Sequence, residues 1–412
     1  MERSLNMFSK EQQRQQQGHD ASEKFGIDGL VFPEDILEEI LVRLAVRHLL
    51  RLRRVCKSWR AFIDDINFIK RHYEVHYSRC KADGVVPSIC LGPQVDIYDN
   101  NLCVCLVSGH IGADDVIPLS LTADLVRDSA ASFANAPDLF GNGIFVGVAN
   151  GVVCFIWNYH DLGMWNPATR EFKTITPWLN RRIRLHRLHI ISFGFDCISN
   201  DFKIVRGDRR DDGTLSYQVY SLTTDSWKGV TEPSPFVHMF KYLTAEAYLN
   251  GVSYWAAQTS DTRGVILSFD YSTDTFNVMD APQDAIESKI GYRKSCTIRL
   301  YKDRLAIVGI CTDSEKELCK YDVWVTELGI PVSWQHLFTI GPFPSSDVIM
   351  LDSFTMDDEV MFIVASPTME EETSLYNLST RTFKNLGYEI GSVSDYVESL
   401  FPLSNRPVRS RR

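Results

Sequence analysis

The sequence lacks the short motifs that mark most enzymes and metal proteins. Its 412 residues contain ten cysteines but no CxxC pair, and they contain no phosphate-binding glycine loop and no HExxH pair. The cysteine spacing fits neither a disulfide framework nor a zinc knuckle, so we expect free thiols in a reducing compartment. These absences predict a chain that is not an enzyme and that binds no metal or other cofactor.

Long apolar runs are also missing. The longest, "GIFVGVANGVVCFIW" at 143–157, is interrupted by Asn150-Gly151. A membrane-spanning helix needs about 20 apolar residues, so two strands that meet at a turn fit this run better. The first 20 residues show no apolar segment of the secretory type. We therefore predict a cytoplasmic and/or nuclear protein that does not contact membranes.

Positive charge is scarce, because 43 Lys and Arg stand against 53 Asp and Glu, which gives a net charge of -10. This balance argues against nucleic-acid binding, which needs a basic surface. Two segments depart from it. Six basic residues and no acidic one lie between Arg47 and Arg60, which indicates either a solvated face or an acidic protein partner. Arg181, Arg182 and Arg184 lie in "RRIRLHR", which is either a solvated loop or a site that binds an acidic or phosphorylated segment of a target.

The two ends of the chain have the composition of disordered segments. Residues 1–28 are rich in Gln and charge, and residues 404–412 form a basic, flexible tail that includes "RPVRSRR". We expect folded structure between them.

Residues 29–77 have helical periodicity. Pro33, Glu34 and Asp35 are typical of a helix start, and apolar residues then recur at helical spacing through three stripes that end near Ile63. The pattern predicts three or four short helices. A unit of this size cannot bury all of its apolar surface, so part of that surface is expected to contact a partner.

This segment resembles the F-box, the helical module that attaches substrate receptors to Skp1 in SCF (Skp1, cullin, F-box) ubiquitin ligases. The matching stretches are "PEDI", "EEILVRL", "RRVCKSW" and "FI" at 62–63, and the sequence departs from the usual pattern at Phe32 and Ala45. The resemblance implies a Skp1-like partner, and a cullin reached through it. It also implies the Skp1-facing set Phe32, Pro33, Ile36, Leu37, Ile40, Leu41, Leu44 and Leu49.

One phrase recurs in the rest of the chain. It reads aromatic, three residues, Thr, two residues, aromatic, and it occurs as "WNPATREF" at 165–172, "YSLTTDSW" at 220–227, "FDYSTDTF" at 269–276 and "YNLSTRTF" at 376–383. It predicts a hairpin in which the two aromatic residues pack on one side while the Thr hydroxyl bonds the turn backbone. Trp324, near the middle of the longest gap, predicts a further copy with a longer turn.

A second series has the same spacing of about 50 residues, with turn residues before an apolar strand near 150, 200, 250, 302 and 357. Repeated antiparallel strands at this spacing predict a β-propeller of six or seven blades over residues 85–403, with a two-sheet β-sandwich as the alternative. In the propeller, the segments 86–92 and 396–403 would complete one blade together. The fold class predicted is thus α+β multidomain, a small helical module before an all-β domain.

The β segment resembles the kelch-like, F-box-associated interaction domain of plant F-box proteins, through "MWNPATREF", "FGFDCISNDFKIVR" and "LNGVSYW". The resemblance implies the substrate-recognition adaptor of an SCF-type ligase, with an unknown protein target held by the β domain. A protein that binds Skp1 or another partner without directing ubiquitination is the alternative.

Overall fold

The computed structural model describes residues 26–27, 30–31, 33–83, 88–93, 102–107, 116–119, 144–157, 161–175, 188–210, 212, 214–233, 237–239, 244–261, 263–286, 292–313, 315–326, 333–344, 350–355, 358–365, 371–385 and 392–404. These residues fall into two compact units that meet in sequence between Val75 and His76. Most of the predicted disordered N-terminus and nearly all of the predicted tail lie outside them.

The first unit is helical, as the sequence predicts. Among the described residues, a two-stranded ribbon of Gly26–Ile27 and Leu30–Val31 precedes four helices, which are α1 (Glu34–Leu41), α2 (Val46–Leu52), α3 (Lys57–Ile63) and α4 (Ile66–Ala82), the last of which continues past Val75. Helices of seven or eight residues are too short to be stable alone, so α1, α2 and α3 depend on packing against each other and against α4.

The core of the helical unit comes from one side of each helix. Its apolar members, each at most 8% exposed, are Leu37, Leu41, Val42, Val46, Leu49, Trp59, Phe62, Ile63, Phe68 and Ile69. The rings of Phe62 and Phe68 lie with their centroids 5.1 Å apart. His72 on α4 is also buried, and its Nε2 lies 2.8 Å from the carbonyl oxygen of Leu44. This contact ties α4 to the turn between α1 and α2.

Within its described residues, the second unit is built from antiparallel sheets, five with four strands and one with five. We number them in chain order by their first long strand. Sheet 1 contains Ser88–Pro93, Leu102–Val107, Val116–Leu119 and Ser392–Asp395; sheet 2 contains Ile144–Ala149, Val152–Trp157, Asp161–Asn166 and Glu171–Ile175; sheet 3 contains Leu188–Asp196, Asp201–Arg209, Leu215–Ser221 and Ser226–Val230; sheet 4 contains Val237–Met239, Ala247–Leu249, Val252–Thr259, Gly264–Asp270 and Thr275–Asp280; sheet 5 contains Tyr292–Tyr301, Arg304–Asp313, Leu318–Thr326 and Trp334–Pro344; sheet 6 contains Met350–Phe354, Glu359–Ala365, Glu371–Asn377 and Thr382–Asn385. A short helix, α5 (Gln283–Ile286), lies between sheets 4 and 5.

The sheets form a closed ring. Strands near the inner edge of each sheet contact those of the next, and the strand Ser392–Asp395 contacts both sheet 6 and sheet 2. This is a β-propeller, so the predicted class is confirmed and the alternative, a two-sheet sandwich, is wrong. The prediction of six or seven blades is not confirmed. Sheet 4 departs from the four-stranded pattern, since two short segments, Val237–Met239 and Ala247–Leu249, pair side by side with one strand.

The repeated phrase forms the last hairpin of sheets 2, 3, 4 and 6, as predicted. Its aromatic residues face each other in register, as in the pair Phe269 and Phe276, whose ring centroids are 4.8 Å apart. In sheet 5 the equivalent pair is Trp324 and His336, at 4.9 Å, and a longer connection joins their strands. Cross-strand aromatic pairs of this kind stabilise a sheet beyond the area they bury.

The predicted role of the Thr residue holds in one copy, where Thr169 Oγ1 accepts a hydrogen bond from the amide of Glu171 at 3.4 Å, and needs correction in the others. In three copies its hydroxyl bonds another hydroxyl across the turn, as Thr380 Oγ1 does with Thr382 Oγ1 at 2.7 Å. The turn amides are satisfied instead by the residue that follows the first aromatic. In sheet 6, for example, Asn377 Oδ1 accepts hydrogen bonds from the amides of Ser379 and Thr380. Asx turns of this kind need a short acceptor side chain just before the turn.

The two ends of the β domain pair with each other, as predicted, but through a different C-terminal segment. Ser392–Asp395, rather than 396–403, pairs with Ser88–Pro93. The segment 396–403 contains no strand, and its buried residues pack on the sheets: the ring of Phe401 lies 4.9 Å from that of Phe195 in sheet 3. Its backbone oxygens are occupied by Asn166 of sheet 2, whose Nδ2 donates to the carbonyls of Ser399 at 3.1 Å and Phe401 at 2.9 Å. A side chain from another sheet therefore takes the place of a strand partner.

Sheets 3 and 4 are joined by a buried charge network. Lys203 Nζ lies 3.0 Å from Asp196 Oδ2 and 2.9 Å from Asp274 Oδ1, and it donates to the carbonyl of Tyr271 at 2.7 Å. Burial disfavours the charged forms of Lys203 and Asp196, but their hydrogen bonds outweigh it. The bonds to Asp274 and Asp196 raise the pKa of Lys203, and the bonds from Ser199 and Lys203 lower the pKa of Asp196.

Replacing Asn166 by Ala is expected to lower the free energy of unfolding by about 2 kcal/mol or more, because it removes an Asx turn and leaves two buried carbonyls unpaired. The matched control is Asn377→Ala, which removes the same kind of turn at a half-buried position and should cost about 0.5 to 1 kcal/mol. Urea unfolding of the two variants tests this. If both variants lose the same free energy of unfolding, the contact of Asn166 with the C-terminal segment does not stabilise the fold.

The Lys203 network predicts acid sensitivity. Because the folded-state pKa of Asp196 lies below its unfolded value, its stabilising contribution is complete above about pH 4 and is lost as the pH falls through the folded pKa. The melting temperature should therefore fall more steeply between about pH 5 and pH 3 for the wild type than for Asp196→Asn. Asp280→Asn, at an exposed ion pair, is the control and should follow the wild type. Parallel curves for all three proteins would contradict the prediction.

Candidate functional site

Helix α1 presents an apolar surface to solvent. It begins after Pro33, whose carbonyl accepts hydrogen bonds from the amides of Ile36 and Leu37 at 3.1 Å each. Ile36 and Ile40 lie one turn apart on the same helix face, and each is 51% exposed. Among the described residues, few large apolar side chains are as exposed as these two, and an exposed pair on one helix face indicates a contact surface.

The predicted Skp1-facing residues divide between this surface and the core. Pro33 is exposed beside the two isoleucines, and Leu44 is half-buried. Phe32 lies outside the described residues. Three members point into the helical unit, namely Leu37, Leu41 and Leu49, at 5%, 2% and 0% exposed. Their packing holds α1 in place, so they support the exposed surface instead of forming it.

The carboxylates of α1 are held by arginines of the same unit. Arg71 Nη1 on α4 donates to Glu38 Oε1 at 2.6 Å, and Arg71 also pairs with Glu39. Arg43 Nη1 donates to Glu39 Oε2 at 2.8 Å. The bond to Glu38 raises the pKa of Arg71. These contacts fix the rotation of α1 and therefore the direction in which Ile36 and Ile40 face.

Proline is the usual residue of the F-box pattern at position 45, and the backbone at Ala45 has a conformation that proline could adopt. Ala45 precedes α2 with φ of -60°, which is close to the angle that proline imposes, and its carbonyl accepts a hydrogen bond from the amide of His48 at 2.9 Å. The departure from proline at this position therefore leaves the turn geometry intact.

The basic run between Arg47 and Arg60 separates into two groups. Arg53 Nε and Arg60 Nε pair with the carboxylate of Asp64, at 2.7 and 3.5 Å. The other four are exposed and form no ion pair within the described part of the chain; they are Arg47, Arg51, Arg54 and Lys57. For these four residues, a solvated face and a surface for an acidic protein partner therefore both remain open.

In the β domain, the predicted target-binding residues Arg181, Arg182 and Arg184 lie outside the described residues. The tryptophans differ in environment: Trp165 and Trp255 are buried in the core, whereas Trp227 on the outer strand of sheet 3 is only half-buried. The guanidinium carbon of Arg206 lies 5.6 Å from the centroid of the Trp227 ring. In the sequence, the one signal of Arg206 is a charge at a position where strand alternation predicts an apolar residue.

Within the described residues, no group of three or more His, Cys, Asp or Glu has the geometry of a metal site. Across the same ranges, none of the helices is both long and apolar enough to cross a membrane.

Comparisons with known proteins identify both units. The model of the F-box domain matches residues 30–71, and the model of the F-box associated beta propeller domain matches residues 144–403. The chain is 25% identical over 391 residues to a putative F-box protein of Arabidopsis thaliana, which covers 90% of this chain and 89% of the relative. It is 26% identical over 316 residues to an F-box/kelch-repeat protein of the same plant, which covers 75% of this chain and 79% of the relative.

Neighbouring residues of α1 should respond differently to truncation. Leu41→Ala is expected to lower the opening free energy of the helical unit by about 2 to 5 kcal/mol, because it leaves a cavity in the core. Ile40→Ala should change it by no more than about 0.5 kcal/mol, because half of that side chain is already in water. Hydrogen exchange of the amides in residues 34–75 of the full chain measures both values. A similar loss of protection in both variants would contradict the division into core and surface.

Proposed function

Because the chain belongs to the family of proteins that carry an F-box associated beta propeller domain, here preceded by an F-box, we propose that it is the substrate-recognition adaptor of an SCF-type ubiquitin ligase. Its helical unit binds a Skp1-like protein through Ile36 and Ile40, a cullin is reached through that protein, and the propeller binds a target for ubiquitination. We further propose that the protein acts in the cytoplasm and/or nucleus.

The observation that supports this proposal best is the exposed pair on α1. An isoleucine side chain left half in water contributes little to folding, but its removal from water at an interface stabilises a complex by about 25 cal/mol for each Å² buried. The buried members of the predicted set cannot reach a partner while the helical unit stays folded. We therefore narrow the predicted Skp1 contacts to Pro33, Ile36 and Ile40, with Leu44 at their edge.

The proposed role requires no catalytic residue in this chain. An adaptor accelerates ubiquitin transfer by holding the target near the ubiquitin-charged enzyme, which raises the effective concentration of the reacting groups. A rigid ring suits this task, because its loops and outer strands are held at fixed positions. The alternative, an interaction protein that binds without directing ubiquitination, shares the same α1 surface and differs only in whether a cullin joins the complex.

Capture of a Skp1-like protein tests the proposal. The double variant Ile36→Asp with Ile40→Asp should weaken binding by about a hundredfold or more, because it places two charges in an apolar contact. The matched control is Val55→Asp, which changes another exposed apolar residue of the same unit, 67% exposed, and should bind within about twofold of the wild type.

Two outcomes would contradict the proposal. The first is wild-type protein that fails to capture a Skp1-like protein, or a double variant that binds as well as the control. The second is a complex with the Skp1-like protein that does not bind cullin. That result would favour the alternative, a protein that binds without directing ubiquitination.

A further inference from the structure

Sheet 1 places two cysteines in register. Cys90 on the strand Ser88–Pro93 is directly opposite Cys105 on the strand Leu102–Val107. Residues directly opposite on antiparallel strands share one face of the sheet. Cys103, two residues before Cys105, occupies the same face because strand residues alternate between faces. Three cysteines of the chain therefore hold neighbouring register positions on one face of sheet 1.

The backbone spacing of these positions favours a disulfide between one pair. Residues directly opposite on antiparallel strands have Cα atoms about 4.5 or 5.5 Å apart, and a disulfide spans about 4.4 to 6.8 Å, so the positions of Cys90 and Cys105 are compatible with a bond. A diagonal pair such as Cys90 and Cys103 is separated by about 7 to 8 Å, which is too far without backbone movement. The register therefore selects Cys105 as the partner of Cys90.

Sheet 5 contains a contrasting pair of cysteines. Cys311 is opposite Lys320, and Cys319 is opposite Thr312, so the two cysteines lie on neighbouring strands but on opposite faces. Both are buried and free. Among the strand pairs that the structure describes, Cys90 and Cys105 are the one pair of cysteines in direct register.

The position of this pair in the ring gives it a structural consequence. The two cysteines lie on the central strands of sheet 1, between the joining strand Ser392–Asp395 on one side and Val116–Leu119 on the other. Cys90 is also in register with Val393 of the joining strand. A covalent bond from Cys90 to Cys105 would therefore fix the strand on which closure of the ring depends.

We propose that Cys90 and Cys105 form a redox-modification site, which hydrogen peroxide converts from two thiols into a disulfide that locks sheet 1. In a reducing compartment both residues are thiols, and disulfides that form there are typically transient and redox-sensing. The inference concerns the β domain alone and does not depend on the proposed function.

The reaction takes two steps. The thiolate sulfur of one cysteine attacks hydrogen peroxide, the O–O bond breaks, and a sulfenic acid and hydroxide form. The thiolate sulfur of the other cysteine then attacks the sulfenic sulfur, the S–O bond breaks, and hydroxide leaves as the S–S bond forms. The two protons lost by the thiols convert the two hydroxides to water. One peroxide is thus reduced to two waters while two thiols are oxidised to one disulfide.

Peptide mapping by mass spectrometry tests the proposal. The purified full chain is reduced, freed of reductant, treated with hydrogen peroxide and digested without reduction. A peptide pair that joins Cys90 to Cys105 should exceed any other cysteine pairing by about tenfold or more, and dithiothreitol should abolish it. Cys311 and Cys319 serve as the internal control, because they lie on adjacent strands without a shared face.

Variants assign the two positions. Cys90→Ser and Cys105→Ser should each abolish the cross-link, whereas the matched control Cys103→Ser, on the same face, should retain it. In the wild type, the disulfide closes a short loop of the chain, so peroxide should raise the melting temperature by about 5 °C, and it should not do so in Cys105→Ser.

Four results would overturn the inference. They are the absence of a peptide pair joining Cys90 to Cys105, a cross-link that uses Cys103 instead, a pairing of Cys311 with Cys319 that forms as readily, and a melting temperature that peroxide leaves unchanged in the cross-linked wild type. These measurements use no Skp1-like protein, so their failure and the failure of the capture experiment with Ile36 and Ile40 are distinguishable.

Discussion

Closure of the ring is the constraint on which the rest of the β domain depends. A four-stranded antiparallel sheet with two apolar faces is not stable alone, so each sheet needs a neighbour on both sides. The first and last sheets become neighbours only because the strand Ser392–Asp395 pairs with Ser88–Pro93. These two strands are separated by about 300 residues of sequence. The contacts of Asn166 with Ser399 and Phe401 hold the segment that follows this strand.

Closure also explains where some polar side chains are half-buried. Glu246, just before the short strand Ala247–Leu249 of sheet 4, accepts hydrogen bonds from the amide of Ala256 in its own sheet and from the amide of Ile298 in sheet 5, at 2.9 and 2.8 Å. Arg299 Nη2 of sheet 5 reaches the carbonyl of Leu351 in sheet 6 at 3.2 Å. Such side chains satisfy backbone groups at the joints between sheets, where no strand partner is available. These half-buried polar side chains between neighbouring sheets therefore have a structural role.

The local features of this fold could be read from the sequence. The aromatic pairs and their turns lie within eight residues of each other, so a phrase such as "FDYSTDTF" contains the whole hairpin. Features that depend on distant partners could not be read in this way. The hydroxyl of Thr380 and the side chain of Asn377 are equally able to bond a turn amide, and only the backbone path shows that Asn377 does so.

The candidate surface on α1 shows the same limit. Ile36, Leu37, Ile40 and Leu41 all belong to one apolar stripe, and periodicity cannot separate the exposed pair from the buried pair. The packing of the remaining helices and the ion pairs of Arg71 decide the rotation of α1, and those partners lie about 30 residues away in sequence. Resemblance to the F-box identified the surface, and the structure selects the side chains within it.

Lys203 and Arg206 show that burial of a charge does not by itself indicate a binding site. They are three residues apart on one strand, similarly buried, and they project to opposite faces of sheet 3. The face of Lys203 meets sheet 4, which supplies Asp274 and a carbonyl, so the joint is complete. Within the described residues, Arg206 pairs with Asp208 from its own strand and lies against the ring of Trp227, and its buried Nη1 has no hydrogen-bond partner. The difference between the two residues therefore lies in what the neighbouring sheet provides.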